Sequence, residues 1–258
     1  MNLNTRLSDI KLFISMNIIK LGATSSTNDF LKDLLTKQFV ENYTVIIAEN
    51  QTKGKGQMGS EWNVESGKNL TFSVLIKDLL LDINAIFHLN VAVAISIVEA
   101  LESLNIPGLF IKWPNDILAE NKKIGGILIE NSIKPNGEIF SIVGIGLNVN
   151  QKNFKNLPKA SSLLVITGKE FDKETVFVAI LENLKRNMAL LRNKEYSLLW
   201  EVYDKNLFKK GVPMPFETDD HHRFMGIIKG VTSNGKLEVL LEDDSVKTFD
   251  IKEVRLLY

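Results

Sequence analysis

Between Gln51 and Trp62 the chain reads Gln51, Thr52, Lys53, Gly54, Lys55, Gly56, Gln57, Met58, Gly59, Ser60, Glu61, Trp62, which gathers glycines and lysines in one short stretch. Glycine lets the main chain enter conformations with φ above zero and approach a ligand closely, and neighbouring lysines add positive charge. Such a loop suits an anion. A glycine-rich hairpin connection without a ligand would show the same spacing. The run G-x-G-x-x-G is also the dinucleotide fingerprint, which needs a strand before it and a helix opening inside it. Here Trp62, Asn63 and a second turn at Gly67, Lys68 and Asn69 lead into the strand-like Leu70–Ile76, so no helix N-terminus faces a pyrophosphate and the Rossmann reading fails.

A second group of polar residues interrupts apolar runs. Lys112 stands between Ile111 and Trp113; a lysine there is costly to bury unpaired, so it snorkels outward or faces an anion in a cleft. Pro114, Asn115 and Asp116 follow at a break between two strands, then Lys122 and Lys123, then Gly125 and Gly126. Gly144 and Gly146 sit inside a strand-like run ending at Asn148, which suggests a ligand or another backbone lying against them. Ser26 and Thr27 belong to a hydroxyl cluster ahead of a helical pattern, where they either cap the helix or face a site. The collection is basic and amide-rich with one acid, which points to phosphate handling by electrostatic stabilisation. No Ser-His-Asp arrangement and no metal-ligand spacing occurs. His88, in a helix, and His221 and His222, in a polar turn, read as solvated surface.

The elements that must hold these residues follow from periodicity. Asn17–Leu21 reads as a strand, and a helix runs through Lys37 with Leu31, Leu34 and Leu35 as its stripe. Val45–Ala48 is a buried strand delivering the chain into the glycine loop. Asn84–Leu104 is a helix apolar nearly all round, hence a core helix. Phe110–Leu118 reads strand, turn, strand, and Asn136-Gly137 marks a hairpin between Leu128–Ser132 and Glu138–Val143. Lys173–Arg192 and Glu195–Asn206 are amphipathic helices. From about residue 207 short strands replace helices, with Phe224–Val231, Lys236–Leu241 and Ser245–Phe249 spaced like a small barrel. Hairpin strands with segregated helices indicate an α+β fold with a mainly antiparallel mixed sheet. The expected division is a short extension over 1–15, a main domain over 16–207 and a small β-barrel over 208–258. Met16 precedes the first strand and is a second candidate for the translation start.

Composition bounds the rest. The chain has 258 residues, 45% of them hydrophobic and 24% charged, which is ordinary for a soluble globular protein. Its 31 basic and 31 acidic residues cancel, so no global field draws it to nucleic acid or anionic lipid, and any phosphate site must be local. No cysteine is present, which removes thiolate chemistry and fits a reducing compartment. No run of about 18 uncharged apolar residues suggests a membrane span.

Taken in order, Ser26-Thr27-Asn28, the Gln51–Trp62 loop, Gly67-Lys68-Asn69-Leu70, Lys112-Trp113-Pro114-Asn115-Asp116, Lys123-Ile124-Gly125-Gly126-Ile127-Leu128-Ile129-Glu130 and Gly144-Ile145-Gly146-Leu147-Asn148-Val149 resemble the motif set of biotin protein ligases. Each motif alone is weak; their joint order over residues 16 to about 255 is specific. The resemblance implies a catalytic domain of the class II aminoacyl-tRNA synthetase and biotin synthetase type, followed by an SH3-like barrel. It implies activation of biotin with Mg-ATP to biotinyl-5′-AMP, then transfer to a lysine of a biotin carboxyl carrier protein, in the cytoplasm. Biotin, ATP and Mg2+ are the small molecules expected, with no dedicated protein metal site. Carried over, Ser26, Thr27 and Gln51 would bind the ureido ring, with Gly54, Lys55, Gln57, Gly125 and Gly126 completing the biotin site. Trp62, Asn115 and Asn148 would hold adenine. Lys123, with Lys112 as a second candidate, would meet the carboxyl and phosphate oxygens, Lys55 would close over the adenylate, and Asp116 would orient the acceptor lysine.

Two departures stand out. Lys55, Gln57 and Met58 occupy a loop where the family often has arginines, and a lysine lacks the bidentate fork, so the adenylate is expected to be held less tightly. About two dozen residues precede Ser26, too few for the helix-turn-helix domain of bifunctional members, so no DNA binding is expected. A lipoate or octanoate ligase of the same fold is the nearest alternative, with Gln51 beside Ser26 and Thr27 arguing for biotin; a non-catalytic regulator is the other. Oligomeric state, a homodimer included, is left open.

Overall fold

The computed structural model describes residues 16–62, 64–77, 86–133, 139–155 and 157–258. The expected 1–15 extension and the Asn136-Gly137 turn lie outside them. Two sheets build the molecule. The larger holds β1 (Ile18–Thr24), β2 (Val45–Gln51), β3 (Leu70–Ile76), β4 (Leu109–Lys112), β5 (Asp116–Ala119), β6 (Lys122–Ile133) and β7 (Ile139–Leu147), in the order β1-β2-β3-β7-β6-β5-β4. Every neighbouring pair is antiparallel except β1–β2, which α1 (Thr27–Lys37) joins as a crossover. That parallel pair makes the sheet mixed, in keeping with the expected mainly antiparallel mixed sheet; β1 itself is a half-exposed edge strand, too weakly patterned to reveal its direction.

One face of this sheet is covered by helices. α2 (Phe87–Ser103) is buried nearly all round because it lies under α4 (Lys173–Arg192) and α5 (Tyr196–Lys205) while touching the strands, and Phe72 meets Phe177 edge-on with centroids 5.1 Å apart. α4 begins at Asp172, whose carboxylate accepts from the amides of Glu174 and Thr175. The short α3 (Leu163–Thr167), absent from the sequence reading, is capped by Ser162 and ended by Gly168 at φ 73°. His88 corrects the solvated-surface expectation: it is 8% exposed, its Nδ1 accepts from Trp200 Nε1 at 2.8 Å, and it stacks on Tyr196. Burial pushes its pKa down.

The opposite face is only partly covered. α1 buries Leu31 against Ile46, Leu75 and Ile142, leaving the rest of that face open. Register shows what lies there. Ala48, Thr71, Gly146, Gly126, Asp116 and Lys112 are successive cross-strand partners, so they form one row across the sheet with side chains on the same face. Ile46, Ser73, Gly144 and Leu128 form the next row. Three glycines thus strip the middle of this face of side chains.

The C-terminal strands β8 (Pro213–Thr218), β9 (Arg223–Val231), β10 (Leu237–Leu240), β11 (Val246–Phe249) and β12 (Val254–Leu256) form an antiparallel sheet ordered β11-β10-β9-β8-β12. Among the described residues no ladder joins its end strands, so the expected barrel is an open five-stranded sheet. It is fixed to the larger sheet at Gly235, whose carbonyl accepts from Trp113 Nε1 at 2.9 Å and whose bare Cα faces Phe87; an added Cβ would stand 2.4 Å from that ring.

Candidate active site

A cavity of about 580 Å³ lies over the glycine strip, bounded by the start of α1, the glycine loop, the Lys112–Asp116 turn and the C-terminal sheet. This size falls within the roughly 300–1,000 Å³ usual for small-molecule sites.

One end is neutral. Ser26 caps α1, its hydroxyl accepting from the Asp29 amide at 3.4 Å. The parallel register sets Thr24 beside Gln51, which brings the Gln51 side chain to the first turn of α1. The Thr27 amide donates to Gln51 Oε1 at 2.7 Å, and Thr27 Oγ1 lies 3.0 Å from the same oxygen. An amide donor fixes that atom as the oxygen, so Gln51 Nε2 remains as a donor. Behind them Ser73, Asn28, Glu130 and Lys32 continue a polar chain.

The other end is charged. Asp116 Oδ1 lies 2.5 Å from Lys123 Nζ and its Oδ2 lies 3.4 Å from Lys112 Nζ. Lys112 and Asp116 are cross-strand partners and so share a face. Lys123 joins them through a β-bulge: pairing shifts between Ile117 and Leu118, leaving Ile124 without a partner on β5. Without the extra residue, Lys123 and Gly126 would point to opposite sides of β6; with it, Lys123 Nζ comes within 3.6 Å of where a Gly126 Cβ would be. Residues 159–161 brace the bulge, since the Lys123 amide donates to Lys159 O at 2.7 Å and its carbonyl accepts from the Ser161 amide at 2.9 Å. Two cations on one carboxylate leave a positive surplus beside the cavity. Tyr258 adjoins them, with Lys112 Nζ 5.7 Å and Lys159 Nζ 4.1 Å from its ring centre; burial and then the charge of Asp116 raise its pKa.

The glycine loop folds as a miniature hairpin with Lys55 bridged to Glu61 and a 3-10 turn at Gln57–Gly59. Its glycines are needed for different reasons than φ alone. Of the three only Gly59 has positive φ, at 82°, and the other left-handed residue is Met58, at 53°. Gly54 and Gly56 are required by close approach, since added Cβ atoms would stand 2.2 Å from Trp62 O and 2.5 Å from Ser60 Oγ. Lys55 reaches Asp29 on α1 at 2.7 Å, and the hydrogen bond to that carboxylate raises its pKa. A half-exposed pair of this kind contributes about 1 kcal/mol or less, so Lys55 can leave it for a ligand at small cost. From the other side Lys252 Nζ donates to Met58 O at 2.7 Å.

Of the residues expected at a site, Ser26, Thr27, Gln51, Lys55, Gln57, Trp62, Lys112, Asn115, Asp116, Lys123 and Gly126 line the cavity, and Gly54, Gly125 and Asn148 do not. Gly125 faces the core, where a Cβ would meet Leu147 and Ile117. Asn148 is 5% exposed and donates from Nδ2 to Ser161 O at 3.0 Å. Asn115 lines the cavity while its Nδ2 donates to Ile127 O at 2.7 Å, holding the turn to β6. The Trp62 indole lies against Gly146, 2.4 Å from a would-be Cβ, and among the described residues its Nε1 is buried without a partner. The sequence reading missed the far wall: Glu217, Thr218, His221, Lys252 and Arg255 of the C-terminal sheet also line the cavity.

A family model described as the biotin/lipoate A/B protein ligase family matches residues 21–150. The bifunctional ligase/repressor BirA of Bacillus spizizenii is 31% identical over 198 residues, covering 74% of this chain and 60% of that protein. The biotin--[acetyl-CoA-carboxylase] ligase of Mycobacterium tuberculosis is 28% identical over 223 residues, covering 84% of this chain and 80% of that protein. The chain thus spans 60% of the length of the Bacillus relatives it matches. Among solved structures, a biotin protein ligase from Aquifex aeolicus in complex with biotin and ATP superposes with a TM-score of 0.78 at 27% identity, covering 93% of this chain and 98% of that one.

Proposed function

The chain belongs to the biotin/lipoate A/B protein ligase family, and from that premise we propose that it is an ATP-dependent biotin protein ligase. The observation that carries the proposal is a single cavity with a neutral hydrogen-bonding end at Thr27 and Gln51, a glycine floor, and a cationic end at Lys112, Asp116 and Lys123. Biotin has this polarity: a neutral urea, an apolar ring and chain, and a carboxylate. The Aquifex aeolicus relative, solved with biotin and ATP, supports the same pair of ligands here.

In the first half-reaction the biotin carboxylate attacks the α-phosphate of Mg-ATP, forming biotinyl-5′-AMP and releasing pyrophosphate. Magnesium enters with the nucleotide as part of the substrate. Lys123 meets the carboxylate and α-phosphate oxygens, where negative charge crowds as the two anions approach; a preorganised donor there acts without reorganisation. Lys112 adds charge from the other side of Asp116. Lys55 leaves Asp29 for the adenylate phosphate, and the loop shields the mixed anhydride from water. Trp62 leaves its seat over Gly126 and Gly146 for the ligand, and Asn115 sits beside the adenine. In the second half-reaction the amine of an acceptor lysine on a biotin carboxyl carrier protein attacks the acyl carbon, the amide forms and AMP leaves, with Asp116 orienting the amine. The C-terminal sheet, which we divide from the main domain near residue 207, serves as the wall of the site.

The test is mass spectrometry of a biotin carboxyl carrier domain incubated with the protein, Mg-ATP and either biotin or lipoate. An ATP-dependent biotinyl mass shift is expected. A lipoyl shift alone would overturn the substrate assignment, and no shift together with no pyrophosphate release would overturn the ligase assignment.

A further inference from the structure

Ser73 is fully buried in the middle of β3, and Asn28, in the first turn of α1, is 3% exposed. Buried polar groups take partners, and here the partners dictate a direction. Asn28 Nδ2 lies 2.8 Å from Glu130 Oε2 and 3.4 Å from the Leu128 carbonyl, both of which only accept. The amide nitrogen therefore faces them and Oδ1 faces Ser73 Oγ, 2.6 Å away. Gly144 makes room for this, since a Cβ there would stand 2.5 Å from Asn28 Oδ1.

A carbonyl oxygen cannot donate, so the one hydroxyl proton of Ser73 goes to Asn28. Ser73 Oγ also lies 2.7 Å from Thr27 Oγ1 and, with its own proton committed, accepts there from the Thr27 hydroxyl. One contact is left without a proton, that between Thr27 Oγ1 and Gln51 Oε1, and at 3.0 Å it is the longest of the three. Any other distribution leaves two lone pairs facing each other at 2.6 or 2.7 Å.

We infer that Glu130, acting through Asn28 and Ser73, turns the Thr27 hydroxyl proton away from the cavity and leaves Thr27 Oγ1 with Gln51 Oε1 as a paired acceptor for a ligand N–H. The inference rests on the biotin reading of the site and sharpens it. A ureido ring brings an N–H that relieves the two facing oxygens, whereas a dithiolane or alkyl acid brings none. Glu130 is a positioning residue: its Oε2 holds Asn28 and its Oε1 is held by Lys32 Nζ at 2.5 Å.

Glu130→Gln tests this with little change of shape. Lys32 can only donate, so it retains the carbonyl oxygen of the new side chain and leaves the NH2 facing Asn28. The contact at residue 130, 2.8 Å, outweighs the one to the Leu128 carbonyl, 3.4 Å, so Asn28 turns its own oxygen outward and gives up Leu128, and the chain reverses: Asn28 donates to Ser73, Ser73 to Thr27, and Thr27 to Gln51, filling the acceptor pair. By isothermal titration, biotin is expected to bind E130Q about tenfold more weakly, the scale of one hydrogen bond. In turnover the KM for biotin rises by a similar factor while kcat is kept, and the preference for biotin over octanoate narrows. Removing Lys32 as well, in K32M/E130Q, frees the glutamine to present its oxygen to Asn28 and is expected to restore most of the affinity; K32M alone stays within about twofold of the parent by the same reasoning. A purely structural loss would not be repaired by deleting a second side chain. Equal biotin affinity in E130Q and the parent, or no recovery in the double variant, would overturn the inference. A parent protein that binds no biotin at all would instead overturn the biotin assignment on which the inference rests.

Discussion

The two ends of the cavity solve different problems with different chemistry. At the Thr27 end the groups that face one another, Thr27, Gln51, Asn28 and Ser73, are neutral, with the Glu130–Lys32 pair behind them and the Lys55–Asp29 pair beside them toward the glycine loop, and Thr27, Asn28 and Ser73 are almost wholly buried. At the Asp116 end three charged side chains remain between 16% and 36% exposed. Neutral groups can be buried at little cost once satisfied, and burial then fixes which atom donates and which accepts. Charges kept near water avoid a desolvation penalty of several kcal/mol per ion and can rearrange as charge moves in a reaction. Recognition of a neutral ring is thereby separated from stabilisation of an anionic reaction centre, with the glycine strip between them.

The strongest way to break this separation is to remove the cation at its charged end. Lys123→Ala is expected to lower biotin-dependent pyrophosphate exchange by about 10³-fold, in the range for loss of one preorganised donor, while biotin binding by titration changes only a few-fold. Asp116→Asn, which leaves both lysines in place, should slow biotinyl transfer from preformed adenylate more than adenylate formation. If Lys123→Ala abolished biotin binding as completely as exchange, the two ends would be one functional unit. Equal loss in both half-reactions for Asp116→Asn would remove its assignment to the acceptor.

These roles were only partly legible in the sequence. Strand and helix positions were, because β3 and α4 are uninterrupted apolar or amphipathic runs with clear ends. The polar interruptions at Lys112 and Lys123 and the glycines of β7 also marked the cavity side correctly as unusual. Register was not legible. Nothing local to Lys123 reveals that a bulge carries it to the face of Gly126, since the shift arises from pairing with β5. Nor does local pattern show that Asn28 meets a carboxylate 102 residues later, or that Trp62 fills the space above Gly146. β8 was missed because Pro213 and Pro215 argue against a strand with neighbours on both sides; they are tolerated because the β12 ladder covers only residues 216–218, and beyond it Pro215 is used as an acceptor, its carbonyl taking the Leu257 amide at 2.9 Å, so no proline amide is needed there.

A smaller effect sharpens the role of the floor between the two ends. Gly146→Ala puts a methyl group 2.4 Å from the Trp62 ring, which must move. Overpacking of this kind costs about 1–3 kcal/mol, and the expected readouts are a shift in tryptophan emission and weaker biotin binding with the Lys123-dependent step retained once biotin is bound. Unchanged emission and affinity would mean that Trp62 does not rest on the strip in solution.

The smallest effect concerns a second carboxylate among cations, on the cavity wall contributed by the C-terminal sheet. Glu217 is gripped by Arg223 Nε at 2.7 Å, by Arg255 and by His221. Arg223 foremost, then Arg255, holds its carboxyl down to about 2 from an ordinary 4.5. Unlike Asp116, whose lysines are point charges beside a bare floor, Glu217 receives guanidinium groups that tie β8 to β9 and β12, an arrangement suited to holding strands together. In the unfolded chain Glu217 takes up its proton near pH 4.5, and in the folded protein only near pH 2. The unfolded state binds more protons between those values, so the stabilisation is complete above the upper one and is lost as pH falls toward the lower. Glu217→Gln, which cannot titrate, should therefore show a shallower fall in melting temperature over that acid window than the parent protein, with a lower melting temperature at neutral pH. Identical acid limbs for the two proteins would show that this charge cluster does not hold the sheet, and would reopen the question of whether its arginines serve the anionic end of the cavity instead.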